Sequence, residues 1–213
     1  MKNYHPEILR LFMLQSHYRS PVDYSESSLA EARSSLIRCY TTLLLLKYAQ
    51  GKLTADTTPV IKEFSVQEEN YIGKFKDLAD KFDAALDDDF NTAQALGHVF
   101  DMVRLTNNLI ADEKNMPTSN KAEILAAAKK IFDHFGAVLG IFQNDADQFF
   151  LSDKETELRK RGLNFEDIES LIKKRQAARE TKDWARADAI RKELAGLHIV
   201  LKDSANNTTW IIE

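Results

Sequence analysis

Between residues 5 and 139 apolar side chains recur every three to four positions in five successive stretches. That repeated helical period limits what the chain can fold into more than any other feature. The first stretch, residues 5–16, sets Ile8, Leu9, Phe12 and Met13 on one side and ends at Arg19-Ser20-Pro21, where proline removes a backbone donor and crowds the preceding turn. Ser25 is a predicted N-cap, and the helix it opens carries Leu29, Ala32, Leu36, Tyr40, Leu43 and Leu44. A Thr-rich loop is expected over residues 51–59. The third stripe is Ile72, Phe75, Leu78, Ala79, Phe82 and Leu86. Asp87-Asp88-Asp89-Phe90-Asn91-Thr92 reads as the capping cluster of a fourth helix, which carries Leu96, Val99, Val103, Thr106 and Leu109. After a loop over residues 114–119, Asn120 and Glu123 have the spacing of a capping box. The fifth stripe follows: Ile124, Leu125, Ala128, Ile131, Phe132, Phe135, Val138 and Leu139. Amphipathic helices joined by short loops predict an antiparallel helical bundle over residues 1–150.

Composition supports a mainly α chain, since seven Gly and four Pro in 213 residues are few for a sheet-rich domain. The single Cys39 excludes a disulfide framework and a multi-thiolate zinc site. It fits a reducing compartment, so a cytoplasmic location is expected. No apolar run approaches the ~20 residues of a membrane span, the start is polar rather than leader-like, and no membrane partner is expected.

The helical period is lost after Phe149, and a linker is expected over residues 151–164. Residues 165–213 read as a small α/β domain of two helices and a hairpin. Asn164 opens the first helix and Asp183 the second, which stops at Gly196 as a C-cap. The runs 197–202 and 208–212 are β-prone, and the Asp-Ser-Ala-Asn-Asn stretch at 203–207 is turn-rich. The net charge of −4 is unevenly spread: residues 1–151 carry 16 Lys and Arg against 21 Asp and Glu, whereas residues 158–192 carry 11 against 6. A polyanion would therefore meet the C-terminal part; a solvated surface of ion pairs is the other reading of the same charges.

Little else suggests chemistry. Asp87-Asp88-Asp89 could hold a hard cation, but it sits at a helix start where carboxylates satisfy free N–H groups, and capping is the reading adopted. The five histidines are scattered, with no pair at ligand spacing, and no phosphate loop or Ser-His-Asp arrangement occurs. No catalytic residue and no metal ligand set is expected. The second C-terminal helix is more informative. At about 100° per residue, its apolar stripe runs through Ala187, Ile190, Leu194 and Leu197 and leaves Trp184 at the margin. Asp188 lies one turn on, beside a turn holding Arg179 and Lys182. An aromatic plane, an acceptor and cations on one half-exposed face are what reading an unpaired base requires. Alternatively, Trp184 closes the small core and Arg179 pairs with Asp188.

Several strings resemble the C-terminal half of cysteinyl-tRNA synthetases. They are Tyr4-His5-Pro6-Glu7-Ile8-Leu9-Arg10, then His17-Tyr18-Arg19-Ser20-Pro21 with Tyr24-Ser25, then Asp87-Asp88-Asp89-Phe90-Asn91-Thr92. Ala178-Arg179, Lys182-Asp183-Trp184, Ala187-Asp188, Arg191, Gly196 and Thr208-Thr209-Trp210 complete the set. The resemblance implies a helical bundle that lies along tRNA, joined at residues 1–24 to a catalytic domain, and a small anticodon-binding domain. It implies a parent reaction, ATP-dependent attachment of cysteine to tRNA(Cys), in which zinc grips the thiolate. The HIGH and KMSKS motifs and the zinc ligands have no counterpart in these residues. The chain is therefore expected to be a truncated form, inactive alone and without ATP or zinc of its own. By resemblance, Arg179, Trp184, Asp188 and Asp203 contact the anticodon, while Arg175 and Lys182 are expected to hold tRNA phosphate non-specifically. The expected partner is tRNA(Cys), not DNA. A helical protein-interaction module that does not bind tRNA is the competing class. A relative joining cysteine to an amino-sugar is a third, against which the intact four-residue set argues.

Overall fold

The computed structural model describes residues 4–55, 63–112, 118–203 and 208–212. They form two compact units, Pro6–Phe150 and Leu151–Glu213, the latter grouped with the N-terminal residues up to His5.

The larger unit is a helical bundle of α1 (Pro6–Leu14), α2 (Glu26–Ala55), α3 (Val66–Asp87), α4 (Thr92–Ala111) and α5 (Thr118–Leu139), followed by the start of α6 (Ala146–Lys160). Neighbouring helices pack as α1 on α2, α2 on α4 and α5, and α3 on α4 and α5. The predicted stripes supply the core: Leu29, Leu36, Tyr40, Phe75, Phe82, Leu96, Val99, Phe132 and Phe135 are all buried. Large aromatic side chains dominate it, each removing enough apolar surface from water to contribute about 2–3 kcal/mol. Ser25 does open α2, its Oγ accepting from the Ser28 N–H at 3.1 Å.

Within the bundle, helix ends differ from expectation in four places. Helix α2 continues to Ala55, so its last turn occupies the start of the expected 51–59 loop; residues 56–59 of that loop, and residues 114–117 of the loop over 114–119, lie outside the described residues. Asn120 is not the N-cap of α5: it lies within the helix, buried, with its amide donating to Glu68 Oε2 at 3.2 Å. The capping box belongs instead to α3, where Ser65 and Glu68 bond reciprocally. The aspartate run does not cap α4 either. Asp87 ends α3, Asp88 is its C-cap, and Asn91 caps α4 by accepting from the Gln94 N–H at 3.1 Å. Asp89, at φ 56°, turns to the segment after α1, accepting from the Tyr18 hydroxyl at 2.8 Å and the Arg19 guanidinium at 3.1 Å.

Glu7 holds the bundle's N-terminal helix to its last loop. Its carboxylate is buried and accepts from the Tyr40 hydroxyl and Phe142 N–H on Oε2, both 2.9 Å, and from Gln143 N–H and the Asn144 amide on Oε1, both 3.0 Å. Burial and the adjacent Glu7 charge push the Tyr40 hydroxyl pKa well up.

The expected linker over 151–164 is largely helical, because α6 runs to Lys160. Its apolar residues serve two cores, with Ala146 and Phe149 buried in the bundle unit and Leu158 in the small one. No single apolar face therefore runs its length, and the period disappears from the sequence. The small unit continues with α7 (Phe165–Glu180), α8 (Trp184–Gly196) and an antiparallel hairpin of β1 (Ile199–Asp203) and β2 (Thr208–Ile212), in which Leu201 faces Trp210. Leu158, Ile168, Ile172, Ile190, Leu194, Ile199 and Trp210 make its core. Gly196 is the last residue of α8 rather than its C-cap. Leu197 caps the helix, and His198 takes the left-handed conformation at φ 59°, which leaves Leu197 packed against the core. The turn-rich residues 204–207 lie outside the described residues.

Candidate nucleic-acid interface

Helices α7 and α8 meet in a tight turn that fixes most of the candidate residues. The Asp183 N–H donates to Ala178 O at 2.8 Å and the Lys182 N–H to Arg179 O at 3.1 Å. With Lys182 at φ 59°, this is the Schellman arrangement, which satisfies the last carbonyls of α7. The Thr181 hydroxyl adds bonds to Ala177 O and Ala178 O, both 3.1 Å. Asp183 then caps α8, accepting from the Arg186 N–H at 3.1 Å. Two capping devices that meet at Asp183 leave the turn little freedom, and Trp184 begins the new helix directly beyond it.

Trp184 is 59% exposed, so it does not close the small core. That is done by Trp210, 4% exposed, whose Nε1–H donates to Glu169 Oε1 at 2.9 Å. Lys154 packs its ammonium 4.7 Å from the Trp210 ring centroid. Beneath Trp184, Ala187, Ile190 and Leu194 face inward. Asp188, one turn along, is exposed, as are Arg179 and Lys182. Asp203 ends β1, paired with Thr208. Only Leu197 and His198 separate α8 from β1, and the two elements pack together.

One expected residue is not on this surface. Arg175 is buried, on the inner face of α7 with Ile168, Ile172 and Ala178. Its position seven residues after Ile168 is two helical turns on, in line with the core stripe, and it cannot offer its charge to a phosphate backbone as an exposed cation would. Exposed cations near the turn are Lys173, Lys174, Arg186, Arg191 and Lys192.

Comparison with known proteins gives this arrangement its context. Residues 81–143 match the DALR domain model, and residues 165–210 match the cysteinyl-tRNA ligase anticodon binding domain. Over 210 residues the chain is 36% identical to the cysteine–tRNA ligase of Nitratidesulfovibrio vulgaris (strain DP4), with 99% of this chain and 42% of that protein covered. It is 39% identical to that of Geobacter sulfurreducens and 40% identical to that of Geobacter metallireducens, each match covering 100% of this chain and 42% of the relative. The chain carries the DALR and anticodon binding domains of cysteine–tRNA ligases. It spans 42% of the length of these ligases. Arg179, Trp184, Asp188 and Asp203 all fall inside the stretch matched to the ligases' anticodon binding domain, and that stretch is the two-helix turn and hairpin just described. Among the described residues no helix is long and apolar enough to cross a membrane.

Proposed function

We propose that the small unit reads the anticodon of tRNA(Cys), as part of the ATP-dependent attachment of cysteine to that tRNA. The observation that carries this reading is the exposed Trp184, held by a doubly capped turn at the start of α8, with Asp188 on its side of the helix and Arg179 in the turn before it. Trp184 offers a flat face to an unpaired base, worth about 1–3 kcal/mol and tolerant of base identity. Base choice then comes from directional acceptors and donors: Asp188 and Asp203 accept from base N–H groups, and Arg179 donates to a base edge or a phosphate. Lys182 supplies attraction to phosphate that falls with salt and carries no sequence information.

The zinc that the family resemblance brings with it does not fit the residues described. No group of three or more His, Cys, Asp or Glu among them could hold a metal. Cys39 is buried in α2, and burial pushes its thiol pKa up to about 12.

The test is a titration of the chain and its variants with tRNA(Cys) and with the same tRNA carrying altered anticodon bases, at two salt concentrations. Trp184→Ala should weaken both by roughly 5- to 150-fold, the equivalent of ~1–3 kcal/mol. Asp188→Ala should lower the preference between them. If Trp184→Ala binds both tRNAs as the parent chain does, the reading is wrong.

A further inference from the structure

The face of α8 that bears Trp184 and Asp188 continues to Arg191. At about 100° and 1.5 Å per residue, Arg191 lies within about 20° of the direction of Trp184 and about 10 Å further along the axis, one turn beyond Asp188. Ala195, at the end of the same line, leaves that edge clear. Arg191 is exposed. Asp188 and Arg191 are three residues apart, the order and spacing at which Asp101 and Arg104 on α4 close an ion pair at 2.6 Å. They do not close one, and neither has another ion-pair partner among the described residues. The acid and the base both stand open to solvent beside the exposed ring.

We propose that Arg191 is a positioning residue for the strand read on this face, holding the phosphate next to the nucleotide whose base meets Asp188. The inference rests on the base-reading assignment of Trp184 and Asp188 and extends it along the helix. A carboxylate that accepts from a base edge must sit close to that nucleotide's own phosphates, and the two negative charges repel as the inverse of their distance. A guanidinium one turn further on the same line offsets that repulsion and offers a forked donor matched to phosphate oxygens. The strip then runs ring, acceptor, cation, so a strand laid along it is stacked, read and held in order. Arg186 carries the same charge on the same helix about 140° around from Arg191, and so separates position from charge alone.

The experiment is the same two-tRNA titration over a salt series with Arg191→Ala, Arg191→Gln, Arg191→Lys and Arg186→Ala, each first checked for an unchanged thermal midpoint. Arg191→Ala and Arg191→Gln should weaken binding of both tRNAs about tenfold and reduce the slope of log affinity against log salt by about 0.7–0.9. Neither should change the anticodon preference. Arg191→Lys should keep the slope, and Arg186→Ala should cost less than threefold. Equal losses from Arg186→Ala and Arg191→Ala would overturn the proposal, because the charge would then act without regard to place. If Trp184→Ala weakens binding while Arg191→Ala does not, this inference alone fails. If neither weakens it, the anticodon reading fails too.

Discussion

Replacing Glu7 by glutamine changes one oxygen to an amide group and leaves the shape almost untouched, so it isolates the hydrogen bonds that hold α1 to the loop after α5. The carboxylate accepts from the Tyr40 hydroxyl and the Phe142 N–H on one oxygen and from the Gln143 N–H and the Asn144 amide on the other. Glutamine offers one acceptor oxygen and one NH2, so one pair of donors must face a donor. If the NH2 turns toward Oε2's partners, the Tyr40 hydroxyl can rotate and accept, but the Phe142 N–H cannot. If it turns the other way, the Gln143 N–H is left facing it. Either way a backbone N–H in a part-buried site loses its partner, a cost of about 1–3 kcal/mol. The two surviving bonds also lose their charge assistance, roughly 1 kcal/mol each. The smaller desolvation penalty of a neutral amide works against these terms, and the net expectation is a destabilisation of about 2–3 kcal/mol. For a unit of this size that is a fall of roughly 4–12 °C in the bundle's thermal midpoint. Tyr40→Phe provides the scale. It removes the bond to Glu7 and the one from the Asn144 N–H at 3.3 Å but keeps the ring stacked on Phe149 at 3.8 Å, and should cost about 1–2 kcal/mol. Urea titrations followed by far-UV circular dichroism measure both. A Glu7→Gln variant losing less than Tyr40→Phe would refute the reasoning, since the carboxylate would then be only one more partner of the hydroxyl.

Four further outcomes follow from the same physical arguments. Lys182 holds φ 59° without being glycine, so Lys182→Gly should stabilise the small unit by about 1 kcal/mol in urea melts while weakening tRNA binding at low salt. Trp210→Ala should destabilise that unit by about 3–5 kcal/mol, whereas Trp184→Ala should leave its stability within about 0.5 kcal/mol of the parent. Cys39, with its thiol pKa at about 12, should react with a disulfide reagent at pH 8 only as fast as the bundle opens, and urea should accelerate the reaction. For Glu68, burial acts upward but is outweighed by hydrogen bonds from Ser65 and Asn120, and its carboxyl pKa is lowered. Its stabilising effect is therefore complete above the unfolded-state value, ~4.3, and is lost as pH falls through the lower folded one. The parent's thermal midpoint should drop more between pH 5 and pH 3 than that of Glu68→Gln.

The bundle was legible because each of its helices buries a stripe whose period survives in the sequence: Leu29, Ala32, Leu36 and Tyr40 are inside, as their spacing requires. Contacts between distant segments leave no such trace. Nothing local in Tyr4-His5-Pro6-Glu7 announces that Glu7 will meet backbone N–H groups more than 130 residues away. Nor does anything in Asp87-Asp88-Asp89 announce that the third aspartate will leave its helix to bind Tyr18 and Arg19. The Ser65–Glu68 box is different. Its Ser-x-x-Glu spacing is a local signal that could have been read, and it would have placed the start of α3 at Val66 instead of near the first apolar position.

At the candidate site, the helical wheel alone placed Trp184 at a margin, and two readings survived because the chain has two tryptophans and one small core. The hairpin register decides between them. With Leu201 opposite Trp210, Trp210 and Ile212 point to the same side of the sheet, against the core; a slip of one residue would have sent Trp210 to solvent and left the core open for Trp184. The two arginines of α7 make a different point. Arg175 and Arg179 are four residues apart, so they differ by only about 40° in direction, and a charge count treats them alike. One is buried and the other exposed because α7 runs past its core: Ala178 is its last buried residue, and α8 begins only at Trp184. Periodicity reports the angle at which a side chain leaves a helix and says nothing about how far along the axis the partner extends. The surface on which a tRNA could be read begins where that partner stops, and only the packed structure shows that point.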